Sequence, residues 1–108
     1  MPTRHDKLIR DRIPEIMDEA GVGYEVETLD ADAFERALRA KLVEEAREAA
    51  DADDPNELAK ELADLLEVAD ALMAATGLDP EHVERLRQRR KVERGGFERK
   101  LWLATTER

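Results

Sequence analysis

The sequence predicts an all-α fold: a helical bundle built on an antiparallel helix pair and completed by oligomerisation. Three features lead to that reading. Apolar residues recur at helical spacing through three long segments, and no segment alternates strongly enough to make a sheet. Those segments are bounded by Asp, Asp-Pro and Gly, the residues that start and stop helices. The 42% hydrophobic fraction holds much alanine and only one Trp, one Tyr and two Phe, so a single copy buries a thin core and needs a partner.

The elements follow in order. Residues 3–13 form a basic and apolar lead-in. Pro14 suits a first helical turn, so a short helix is expected from Pro14 to Ala20, ended by Gly21. Residues 24–29 (YEVETL) alternate weakly and fit a short extended segment. Asp30 or Asp32 caps a long helix over residues 31–51. The run Asp51-Ala52-Asp53-Asp54 breaks it, and Asp54-Pro55 opens a helix over 55–76 that stops at Gly77. Asp79-Pro80 opens a third long helix over 80–94, closed by Gly95-Gly96. The tail from Phe97 to Leu103 is too apolar for a free end.

Composition narrows the function classes. The 108 residues suffice for one domain, 1–108, with no room for two independent cores. A net charge of −9 argues against sequence-independent nucleic-acid binding, which relies on Lys and Arg neutralising phosphates. A small phosphorylated ligand stays compatible, since a bound metal supplies positive charge locally. With no cysteine, disulfides, zinc-thiolate sites and cysteine nucleophiles are excluded. There is no apolar run long enough to span a membrane and no signal-like segment, so no membrane partner is expected and a soluble, cytoplasmic protein is.

The chemistry concentrates in two acidic clusters: Glu44, Glu45 and Glu48 in KLVEEAREAA, then, after twelve intervening residues, Glu61 and Asp64 in KELADLLEVAD. On a helical wheel with Glu45 at zero, Glu48 falls at about 300° and Glu44 at about 260°, beside Leu38 and Leu42 at roughly 20° and 60°. With Glu61 at zero on the next helix, Asp64 falls at about 300°, beside Leu65 and Leu72 at roughly 40° and 20°. In both helices the acids border the apolar stripe, so packing the stripes together brings the acidic edges to one seam. Carboxylates gathered there repel one another unless a cation sits between them, and a hard divalent ion suits an all-oxygen set. Taken singly, each acidic pair also suits a solvated face in a chain that is 42% charged. Spacing alone leaves the metal-site and surface readings both open.

Cations form a second set. Lys7 and Arg10 lie in the lead-in, and Lys91 and Arg94 end the third long helix. Lys91 and Arg94 complement the helix dipole there, or they contact the phosphates of a metal-held substrate. The only histidines are His5 and His82, and Asp79-x-x-His82 reads as a helix cap and not as a metal pair. No Ser/His/Asp or Cys/His set points to covalent catalysis, and the Glu-x-x-His of di-iron bundles is missing.

The acidic pattern E-E-x-x-E, twelve residues, E-x-x-D resembles the MazG-like all-α nucleoside triphosphate pyrophosphohydrolases, a superfamily that includes phosphoribosyl-ATP pyrophosphohydrolase. The lead-in K-L-I-R-D-R-I-P-E-I and the segment Lys91-x-x-Arg94-Gly95-Gly96-Phe97 look like its compact house-cleaning branch, thought to act on non-canonical nucleotides. The resemblance spans Lys7 to Phe97. It implies an enzyme that cleaves a nucleoside triphosphate between its α and β phosphates with Mg²⁺ or Mn²⁺, and the thin apolar inventory leads to the expectation of a homodimer or homotetramer. Glu45, Glu48, Glu61 and Asp64 would match its metal ligands, and Glu44 a position that assists a second metal or orients water. Glu45 or Glu48 would serve as proton acceptor, unless the water is metal-bound and already acidified. Lys91 and Arg94 would match phosphate contacts. Lys7, Arg10 and Asp11 would match its lead-in, which either lines the pocket or is tied to the bundle through an Arg10–Asp11 ion pair.

Two further readings stay beside this one: a phosphoribosyl-ATP pyrophosphohydrolase of histidine biosynthesis, and a non-catalytic helical interaction module with a merely solvated acidic seam. Tyr24, Phe34, Phe97 and Trp102 could stack on a base, but core or subunit interface is the expected place for each.

Overall fold

The computed structural model describes residues 2–107. Among them are four helices and no strand: α1 (Ile13–Glu19), α2 (Ala31–Asp51), α3 (Pro55–Thr76) and α4 (Pro80–Arg94). The chain divides into two compact units, Met1–Gly77 with α1 to α3 and Leu78–Arg108 with α4.

Local chemistry accounts for the helix ends. In α2 the cap is Asp30 and not Asp32: its Oδ1 accepts the Ala33 N–H at 2.8 Å. Asp54 does the same for Glu57 N–H at 2.8 Å, and Asp79 for Glu81 N–H at 2.9 Å. Each of these two caps precedes a proline, whose missing N–H costs nothing in a first helical turn. α1 starts one residue before the expected Pro14, because Ile13 N–H already bonds Arg10 C=O at 3.1 Å. It ends in a Schellman arrangement, with Val22 N–H on Met17 C=O at 2.9 Å and Gly21 N–H on Asp18 C=O at 3.1 Å. Gly21 holds φ at 72°, a value that glycine adopts without penalty.

In the first unit α3 packs along α2 after a three-residue link, residues 52–54. Leu38 and Val68 are buried at their contact, and Phe34, Leu42, Leu65, Ala69 and Leu72 are half-buried around them. Leu58 is exposed, as are Leu62 and Leu66 one and two turns further on. α3 therefore carries a second apolar strip that nothing in the unit covers.

Residues 24–29 form no strand. The hydroxyl of Tyr24 instead hydrogen-bonds Asp18 of α1, and that bond raises its pKa above 10.0. In the second unit, α4 presents a nearly continuous polar surface, with Val83 alone half-buried. Phe97 (96% exposed) and Trp102 (91%) are not core residues of this chain, and Leu101 and Leu103 are open to solvent with them. No helix among the described residues is long and apolar enough to cross a membrane.

Candidate metal centre

The acidic seam lies at the α2–α3 contact. One potential ligand oxygen each from Glu45, Glu61 and Asp64 falls within 4.8 Å of the others. The pairing follows from the helical phase: these residues flank the apolar stripes that meet through Leu38 and Val68. Glu45 is buried at 6% exposure, while Glu61 and Asp64 are half-buried.

Two oxygens there, Glu45 Oε2 and Glu61 Oε2, are buried without a hydrogen-bond partner. A buried acceptor with no donor is costly, and two beside each other repel as well. A divalent cation among them would satisfy both, and the donor set (three carboxylates, no sulfur, no imidazole) is the kind a hard cation takes. The residues present fit such an ion.

Electrostatics agree with the geometry. The pKa of Glu45 is raised above the usual carboxylate value, first by burial and then by the charge of Glu48. Glu48, exposed on the rim, is also raised, first by a hydrogen bond with Glu61, then by partial desolvation and by the charge of Glu61. Burial and neighbouring carboxylates thus make Glu45 and Glu48 hold a proton more readily than free glutamates do.

Two cations from the chain partly compensate. Lys41 Nζ lies 3.6 Å from Glu45 Oε1 and 3.9 Å from Glu44 Oε2, and its side chain is only 18% exposed. Lys41 escaped the sequence reading, although its place three and four residues before these glutamates is the spacing at which helical side chains meet. The second is Arg10, whose Nη2 donates to Asp64 Oδ1 at 2.8 Å. The lead-in is thus tied to the acidic seam through Arg10 and Asp64, where the sequence had suggested Arg10 and Asp11.

The remaining expected residues divide between the two units. Glu44 is half-buried beside Lys41, and Lys7 is exposed in the lead-in. Lys91 and Arg94 belong to the second unit, in the last turn of α4, where they line a basic depression with Arg87, Arg90 and Phe97.

The chain is all-α, and three carboxylates that could hold a divalent cation converge on two packed helices, with Lys41 and Arg10 beside them. A family model for phosphoribosyl-ATP pyrophosphohydrolase matches residues 6–91, and the chain belongs to that family, within the MazG-like all-α superfamily. The match takes in Lys7, Arg10 and all five acidic residues and stops at Lys91, before Arg94-Gly95-Gly96-Phe97. No curated protein and no solved structure matches the chain.

Proposed function

We propose that this protein is a Mg²⁺-dependent nucleoside triphosphate pyrophosphohydrolase, with Mn²⁺ as an alternative ion. It cleaves the α–β phosphoanhydride of non-canonical nucleotides and releases monophosphate and pyrophosphate, a house-cleaning role in the cytoplasm. The observation that carries this reading is the trio Glu45, Glu61 and Asp64 with its two unpartnered buried oxygens.

Glu45, Glu61 and Asp64 would hold the cation, with Glu48 closing the rim. A cation bound there neutralises phosphate charge and makes a coordinated water more acidic. Glu45 and Glu48 have raised proton affinity, which suits either as acceptor of the water's proton. Glu44, held near Lys41, would orient that water. Lys7, Arg10, Lys91 and Arg94 would meet the phosphates, whose charge exceeds what one or two divalent ions neutralise.

The family match favours a second substrate for the same chemistry, phosphoribosyl-ATP. The chain would work as a homodimer or homotetramer, a second copy covering Leu58, Leu62 and Leu66 of α3.

Pyrophosphate release from canonical and modified nucleoside triphosphates and from phosphoribosyl-ATP, with Mg²⁺, Mn²⁺ or chelator, tests the proposal. Metal-dependent release is the expected result, and the ranking of substrates decides between the two pyrophosphohydrolase readings. No release from any of them would leave the non-catalytic module as the better account.

A further inference from the structure

We infer that Arg10 is an exchangeable counter-cation of the acidic seam: it holds Asp64 while the seam is metal-free, gives it up when that carboxylate takes a divalent ion, and then pairs with the anionic ligand. The inference rests on the metal-site reading above and assigns one residue the coupling between cation and anion binding.

The Arg10–Asp64 bond stands apart from the other side-chain pairs. It joins residues 54 positions apart, whereas every other ion pair among the described residues spans four or fewer. Its donor comes from residues 2–10, which have no helix, while Leu8 and Ile9 just before it are half-buried. Among the described residues, Asp64 is the one ion-pair partner of the Arg10 guanidinium.

The bond is also placed where it can be exchanged. Both side chains are substantially open to solvent, 58% for Arg10 and 44% for Asp64. An ion pair in that setting is weak and readily replaced. Lys41 differs: largely buried and held by its own helix against Glu45, it has no comparable route away.

The unmet charge lies on the inner side of the same seam, at Glu45 Oε2 and Glu61 Oε2. Arg10 reaches Asp64 from the solvent side and leaves those oxygens unsatisfied. A divalent ion among all three carboxylates would satisfy them, and a guanidinium on Asp64 then opposes it by like charge. Once off Asp64, Arg10 has its planar set of N–H donors free beside the seam, a shape that fits two phosphate oxygens at once. Cation binding thereby prepares anion binding, and the coupling is reciprocal.

The test compares wild type with Arg10→Met, which keeps length and removes charge. Free Mn²⁺ is titrated by electron paramagnetic resonance without any nucleotide, and inorganic pyrophosphate is then titrated calorimetrically at saturating Mn²⁺. Arg10→Met is expected to bind Mn²⁺ about two- to fivefold more tightly than wild type, the range set by an exposed ion pair. It is expected to bind pyrophosphate several-fold more weakly. These opposite signs separate exchange from a structural role, since a loosened fold would weaken both. Arg10→Lys keeps the charge, so it should bind Mn²⁺ like wild type yet lose part of the pyrophosphate affinity with the fork.

Weaker Mn²⁺ binding by Arg10→Met would overturn the inference and make Arg10 a support that orients Asp64. Unchanged Mn²⁺ or pyrophosphate binding would overturn it while leaving the metal site intact. A wild-type chain that binds no Mn²⁺ would remove the metal-site reading and this inference together.

Discussion

Lys41 Nζ stands 3.6 Å from Glu45 Oε1, a contact between two largely buried side chains one helical turn apart on α2. Glu45 carries the strongest burial in the acidic seam, and the Lys41 ammonium is the influence that favours its charged form against burial and its carboxylate neighbours. Replacing Lys41 with Met should therefore destabilise the metal-free chain at neutral pH by about 1–3 kcal/mol, the usual cost of a buried polar group left unpaired. Lys41→Arg should recover part of the loss. Urea denaturation of the three proteins in chelator measures this, and equal midpoints would show that Lys41 only lies near Glu45.

Thermal stability should rise with divalent metal. An ion that binds only the folded state at a hundred times its dissociation constant adds about 2.7 kcal/mol. Glu45→Gln keeps the shape of the buried side chain but removes its charge, so the Mg²⁺- or Mn²⁺-dependent rise in Tm should vanish in that variant. If the rise persisted, the ion would be held elsewhere; if wild type itself did not respond, the seam would be plain surface.

The metal-free chain should lose stability as pH rises through the carboxylate range. Glu45 and Glu48 both have folded-state pKa values raised above 4.5. A group raised in this way binds its proton more tightly in the folded state, so its contribution is complete below 4.5 and disappears as pH climbs through the raised value. Denaturation of wild type and Glu48→Gln in chelator from pH 4.5 to 7 reads the effect of Glu48 together with the part of the Glu45 shift that Glu48 causes, while titrations away from the seam cancel in the difference. Wild type should fall more steeply than the variant across that window, and parallel curves would contradict the raised proton affinity of Glu48.

Much of this arrangement was legible in the sequence, and the reasons are local. The helix bounds 31–51, 55–76 and 80–94 come from Asp caps, prolines in first turns and terminal breaks, all decided within a few residues. The convergence of Glu45, Glu61 and Asp64 follows from phase, since acids beside two apolar stripes meet when the stripes pack. The partner of Arg10 was not legible, because a coil residue bonding 54 positions away leaves no periodic trace. Nor was the exposure of Leu58, Phe97 and Trp102, since apolar character alone does not say which copy of a chain covers a residue.

The strip Leu58, Leu62 and Leu66 gives the oligomer proposal its own test. These residues recur every four positions along α3 with exposures of 39%, 44% and 67%, the pattern of a helix face awaiting a neighbour. Sedimentation equilibrium should find wild type as a dimer or tetramer, and Leu62→Lys with Leu66→Lys should shift it towards monomer. An unchanged mass in the double variant would place the interface on another surface.

Turnover should depend on the seam far more than the fold does. Asp64→Asn removes the charge that faces Arg10 and that would face the cation, while its half-exposed position leaves the α2–α3 core through Leu38 and Val68 untouched. Glu48→Gln removes a rim carboxylate from an exposed site. Each substitution should lower pyrophosphate release by at least about a hundredfold, the scale on which loss of one charge-stabilising group acts in a preorganised site. Helical content should stay close to wild type in both. The measurement pairs a pyrophosphate assay with far-ultraviolet circular dichroism. Full activity in Asp64→Asn would move the reaction away from this seam, and collapse of the helical signal would mean that Asp64 supports the fold by tying the lead-in to α3 through Arg10.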